Sequence, residues 1–266
     1  KGSRGRVAVV AGSLSYAGAA VLTATGALRL GVGYVFVVVP DSIADVVRAH
    51  VPNAIVRPVP SAADGSIAEA GPVLAAVSDA DAVVAGPGLT TGAGAAAAVR
   101  ALVSETGTPL LLDADALNVF AGDVGPLLKR QAPTLVTPHP GEAARLLGRT
   151  TELIQAERLS TAAGLTGPAL TCLLKGPRSV VAASGRQALV LAGNAGLARA
   201  GSGDVLAGMV GTLMAQRLDP FDAATLGAHL HGRAAELGTA ELTETCFTSM
   251  DIVRFVPAAV RELLGG

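Results

Sequence analysis

Tryptophan is absent, aromatic residues make up 3% of the 266 positions, and charged residues make up 15%. So few rings leave no platform for stacking nucleic-acid bases and no aromatic belt for a bilayer. A formal net charge of -1 leaves no basic footprint for nucleic acid and no polybasic membrane patch. Two cysteines, Cys172 and Cys246, can build neither a disulfide framework nor a four-ligand zinc site. Both are expected to be buried thiols in a reducing compartment. Uninterrupted apolar runs are scarce too. The uncharged stretch 82–99 is broken by Gly, Pro and Thr, so it does not read as a membrane span. Residues 1–6 lead straight into a strand-like run, so no signal peptide is expected, and the abrupt start suggests missing upstream residues. Neither G-x-G-x-x-G nor G-x-x-x-x-G-K-[ST] occurs, which argues against a dinucleotide fingerprint and a P-loop.

What the chain does contain is apolar residues, at 50%, and 33 glycines without a triplet period. That hydrophobicity excludes disorder, and the length suffices to bury a core. β-Branched runs at 7–11, 34–39, 54–59, 82–85, 110–113, 134–137, 169–174, 180–183 and 187–191 read as strands. Between them lie helical patterns near 19–30, 43–49, 67–77, 95–104, 141–147 and 151–163. Continuous apolar strands suit a parallel sheet covered on both faces, and the alternation argues for an α/β sandwich. A hairpin is expected to turn at 184–186, and helices at 203–217, 220–238 and 249–264. With no linker or repeat, residues 1–266 read as one domain.

In an open α/β sheet, ligands sit beyond the carboxyl ends of the strands. The loops at those ends carry the informative residues. Gly201, Ser202 and Gly203 precede a helix whose first turn carries Asp204. Free amides at a helix start bind anions, and glycine admits a phosphate closely. A carboxylate there would repel the phosphate unless it faces a hydroxyl attacking it, as general base. An unperturbed aspartate has a pKa of about 3.9, so Asp204 is expected to be ionised at neutral pH. Read alone, the segment is equally a capped turn.

Lys175 follows a strand and is one of only three lysines. His139 is locked between Pro138 and Pro140, with Glu142 at a helix start. His229 and His231 lie in a helical run and read as packing or surface residues. Asp113 and Asp115 could hold Mg²⁺ through water or orient a hydroxyl, and Asp115 is equally a helix cap.

The ordered set KGSRG, AGSLSYAGAAVLTATGALRLGVG, VVAGPGL, LLLDADALN, TPHPGEAARLLG, LLKGP, AGSGDVLAGMVG and AHLHGRAAEL spans nearly the whole chain. It resembles the ADP/ATP-dependent NAD(P)H-hydrate dehydratase family. The resemblance implies a ribokinase-like fold and lyase chemistry that repairs hydrated NADH and NADPH, using ADP, with ATP as the alternative donor, and Mg²⁺. It implies substrate contacts at Ala19 or Ala20, Gly88, His139 and Asp204. It places the nucleotide on Lys175, Gly176, Pro177, Arg178, Ser179, Gly201, Ser202 and Gly203. No metal ligand is assigned. A cytoplasmic homotetramer is implied, with an epimerase either fused upstream or separate, and without nucleic-acid or membrane partners. The chain departs from the family pattern twice. Gly88-Leu89-Thr90-Thr91-Gly92 replaces a compact GPGLG, leaving the role of Gly92 open, and Arg217 stands where the family often has Gly. The competing reading is a kinase of the same fold acting on a small vitamin-precursor alcohol. A different class again is a nucleotide-binding module without catalysis.

Overall fold

The computed structural model describes residues 4–265, so the first three residues of the KGSRG motif, and Gly266, lie outside the described residues. The strands are β1 (Arg6–Val10), β2 (Tyr34–Pro40), β3 (Ile55–Val59), β4 (Ala82–Ala85), β5 (Leu110–Leu112), β6 (Thr134–Val136), β7 (Leu170–Leu174), β8 (Ser179–Ala183) and β9 (Arg186–Val190). They form one sheet in the order β3-β2-β1-β4-β5-β6-β7-β8-β9. The first seven are parallel, and the β8–β9 hairpin joins antiparallel through a two-residue turn at Ser184-Gly185. Each strand corresponds to one apolar run of the sequence.

The helices are α1 (Ala17–Arg29), α2 (Ala44–His50), α3 (Ala70–Val77), α4 (Ala93–Glu105), α5 (Asp115–Asn118), α6 (Gly125–Lys129), α7 (Pro140–Leu147), α8 (Thr151–Ala156), α9 (Arg158–Gly164), α10 (Ser202–Ala215), α11 (Pro220–Cys246) and α12 (Ser249–Leu263). Helices α1, α2, α10 and the first half of α11 cover one face of the sheet, where Val7, Val9, Val35 and Val37 point. Helices α3 to α9 cover the other, where Ala8, Val10, Phe36 and Val38 point. Both faces are dry, which explains the unbroken apolar strands. Helices α10, α11 and α12 also bury a third cluster around Met209 and Phe247. Helices α1 and α10 touch backbone to backbone, because a methyl on Gly208 would strike the Thr23 carbonyl. No helix among the described residues is long and apolar enough to cross a membrane.

Four local expectations are corrected. The pattern at 151–163 breaks at Glu157, whose φ of -120° and ψ of 41° separate α8 from α9. Helix α3 starts at Ala70, because Ile67 instead bridges to Ser61. Helix α11 runs on to Cys246, across a kink at Thr243. Cys172 is buried as expected, but Cys246 is exposed at that helix end.

Candidate functional site at the carboxyl ends of the strands

Strand β1 pairs with both β2 and β4, so the chain direction across the sheet reverses at the β1–β4 border. Loops leaving such a border diverge and open a crevice. Here the two loops are tied together at the base by Gly12, whose N–H donates to the Pro87 carbonyl at 2.8 Å. Gly88 has a φ of 66°, and a methyl there would lie 2.7 Å from Tyr16 Cβ and 2.8 Å from Ala19 Cβ. The sequence-predicted pair Gly88 and Ala19 therefore meets across the crevice. Ala20 is fully buried in the core beneath it.

Strands β5, β6 and β7 end side by side and deliver the charged centre. Asp113, buried after β5, accepts from Thr137 Oγ1 at 2.7 Å and from Lys175 Nζ at 2.6 Å. Glu142, buried in the first turn of α7, accepts from the His139 N–H at 2.7 Å and lies 3.8 Å from Lys175 Nζ. Burial raises the Glu142 pKa, with Lys175 opposing. Burial alone would lower the Lys175 pKa, but Asp113 and Glu142 hold it above its ordinary value. Lys175 is therefore turned inward to carboxylates rather than standing at a solvated hairpin corner. Arg158 fixes this strand end from behind, donating to the carbonyls of Leu174 and Lys175. Beyond it, Gly176, Pro177 and Arg178 are exposed and Ser179 is half-buried.

His139 is the N-cap of α7. Its Nδ1 accepts from the N–H groups of Gly141 at 3.0 Å and Glu142 at 3.3 Å, and Glu142 completes a capping box. A ring nitrogen that accepts carries no proton, so the proton sits on Nε2. Burial and the charges of Lys175 and Arg145 lower its pKa. Half of the side chain stays exposed.

Helix α10 begins after Gly201, whose φ of 84° is left-handed. That backbone conformation favours glycine, and a side chain there would also have to displace the tip of Leu22. In the first turn the Ser202 N–H donates to the Arg199 carbonyl at 3.3 Å, while the N–H groups of Gly203 and Asp204 have no acceptor within the helix, a cup-like geometry suited to an anion. Gly203 faces the charged centre, since a Cβ on it would lie 3.3 Å from Lys175 Nζ. Asp204 follows it. Burial, then the charge of Asp113, pushes its pKa up to about 7, against the pull of Lys175. This corrects the expectation of full ionisation at neutral pH. Asp113, Glu142 and Asp204 all lie in the field of the single Lys175 ammonium, and Asp204 changes charge near neutral pH.

Sequence reasoning gave Asp113 and Asp115 a joint role, and the structure divides them. Asp115 accepts from the Thr90 N–H at 2.8 Å and from Asn118 Nδ2 at 3.2 Å. It is not the α5 cap, since that position is Ala114. Among the described residues, no group of three or more His, Cys, Asp or Glu is placed to hold a metal ion. Buried His231 and the positioning Arg158 were not singled out as site residues, because a helical pattern does not show which loop lies behind it. His231 Nε2 lies 3.0 Å from the Ser202 carbonyl oxygen, and burial lowers its pKa to about 4.

A family model described as NAD(P)H-hydrate dehydratase matches residues 7–257. The bifunctional NAD(P)H-hydrate repair enzyme Nnr of Moorella thermoacetica is 37% identical over 267 residues, covering 99% of this chain and 50% of its own. The ADP-dependent (S)-NAD(P)H-hydrate dehydratase of Neisseria meningitidis is 40% identical over 242 residues, covering 89% of this chain and 78% of its own. The chain spans about half the length of the bifunctional relatives. Among solved structures, the Bacillus subtilis ADP/ATP-dependent NAD(P)H-hydrate dehydratase co-crystallised with ATP/Mg²⁺ and soaked with CoA superposes with a TM-score of 0.82. It is 28% identical and covers 98% of this chain and 93% of its own. A ribokinase of Arabidopsis thaliana, 13% identical with a TM-score of 0.53 over 95% of this chain and 98% of its own, shares the fold alone.

Proposed function

The chain belongs to the NAD(P)H-hydrate dehydratase family, and from that premise we propose that it uses ADP to dehydrate the S epimer of hydrated NADH or NADPH. The products are the reduced coenzyme, AMP and phosphate. The observation that carries this reading is Asp204. It is a largely buried carboxyl with a pKa near 7, one residue beyond the glycine cup and in the field of Lys175.

Hydroxide is a poor leaving group from the hydrated ring, and phosphate is a good one. Asp204 takes the ring hydroxyl proton as the β-phosphoryl group of ADP passes to that oxygen, with AMP leaving. The ring nitrogen lone pair then expels phosphate. Loss of a proton from the neighbouring ring carbon restores the double bond. In this reading Ala19, Gly88 and His139 face the hydrate, and buried Ala20 supports them from below. Gly201, Ser202 and Gly203 hold the transferred phosphoryl group, and Lys175, Gly176, Pro177, Arg178 and Ser179 line the nucleotide. Mg²⁺ would arrive on the phosphates, since the described residues offer it no cage of their own.

Residues 1–266 act as one ribokinase-like domain in this proposal, within a cytoplasmic homotetramer. The R epimer falls to an epimerase, fused or separate, as the greater length of the bifunctional relatives supports. The test is incubation with the S hydrate and ADP, or ATP as the second donor. Reduced-nicotinamide absorbance should return, with one phosphate released per turnover. A stable phosphoester in place of phosphate would instead mark a kinase of the same fold. Because Asp204 acts as a base, the rate should rise with pH through about 7.

A further inference from the structure

We propose that His231 is a positioning residue that aims the phosphate cup from behind; the inference rests on the reading of Gly201, Ser202 and Gly203 as that cup. Residues 191–201, between β9 and α10, have only one 3-10 turn of their own, at Ala195–Leu197. Helix α11 and the start of α12 hold the rest. The Gly193 N–H donates to Glu236 Oε1 at 2.7 Å, and Asn194 Nδ2 to Thr239 Oγ1 at 2.6 Å. Arg199 donates to the carbonyls of Glu244 and Thr245, and Ser249 Oγ to the Ala200 carbonyl at 2.6 Å. His231 is the last of these ties. Its Nε2 lies 3.0 Å from the Ser202 carbonyl and 3.4 Å from Ser202 Oγ. Both residues are 5% exposed, so water does not compete.

A carbonyl oxygen only accepts, so Nε2 carries the proton and donates. In a planar trans peptide the C=O and the following N–H point in opposite directions. Holding the Ser202 oxygen toward α11 therefore turns the Gly203 N–H away from α11, at a residue whose Cα stands beside Lys175, since a Cβ there would lie 3.3 Å from Nζ. That amide is in the first turn and has no partner within the helix. The next residue is Asp204, so one tethered peptide plane sets both the cup and the base.

The test uses the whole chain. ADP binding is measured by calorimetry without the hydrate, and turnover is measured separately with it. His231→Phe keeps the volume and removes the donor. Its ADP affinity should fall about tenfold, the scale of one net hydrogen bond, while the KM for the hydrate stays within about twofold. His231→Gln presents an amide N–H near the same point and should recover most of the lost affinity. Unchanged ADP binding in His231→Phe, or equal losses in both variants, overturns the proposal. Nitrogen-15 NMR of the unmodified protein gives a check that no variant can spoil. A proton on Nε2 is required, and a proton on Nδ1 alone overturns the tether. A parent that binds ADP but returns no reduced nicotinamide refutes the proposed reaction, and the binding comparison still decides His231.

Discussion

Asp204 is held at odds with its own solvation. Its folded pKa lies near 7, above the ordinary carboxylate value, because burial and Asp113 disfavour its charge. An acid raised in this way supports the fold in its protonated form. That support is complete below the unfolded pKa and is lost as pH rises toward about 7. Asp204→Asn cannot ionise. It should therefore be more stable than the parent at pH 8, by on the order of 2 kcal/mol after discounting for partial exposure, with the gap closing toward pH 4. Thermal melts across that range check this. The same variant should lose roughly 10²–10⁴-fold in turnover while still binding ADP, as calorimetry would show. His139 joins two roles that paired substitutions separate. His139→Ala should lose about 1 kcal/mol of stability with the α7 cap and also raise the KM for the hydrate. His139→Asn, a good N-cap, should raise the KM with little change in the melting temperature. The identity and helix position of Asp204 are legible in the sequence. Its protonation is not, because Asp113 stands 91 positions earlier and only the sheet brings the two together.

At the level of elements, both departures from the family pattern fall on left-handed backbone. Thr90 has a φ of 64° and Arg217 a φ of 75°, while Gly92 has an ordinary φ of -55°. The compact GPGLG form would place its last glycine at 90, so the displaced requirement is at Thr90 rather than Gly92. The Asp115 carboxylate on the Thr90 N–H fastens that turn. Arg217 ends α10 in the open and donates no hydrogen bond from its side chain among the described residues. Arg217→Gly should add about 0.5–1 kcal/mol, read as a higher melting temperature with unaltered kcat. The strands are legible because runs such as Val35-Phe36-Val37-Val38-Val39 have no other use than a sheet buried on both faces. Helices α5 and α6 are not, since four and five residues are too short to show a period. The break at Glu157 leaves no proline or glycine in the sequence to mark it.

For the molecule as a whole, the sheet order does the gathering. Lys175 meets Asp113 across 62 positions because β5, β6 and β7 are successive neighbours. ADP at a hundred times its Kd should stabilise the folded chain by about 2.7 kcal/mol through mass action, read as a rise in melting temperature. Asp204→Asn should show the same rise, because it removes a base and leaves the cup. Helix α10 gives this architecture a further property. One end presents the glycines and Asp204, and the shaft from 205 to 215 is sealed between α1, the sheet and the outer helices. A change of side-chain volume near Val210 therefore bears on where that end sits, so interior packing and the site form one mechanical unit.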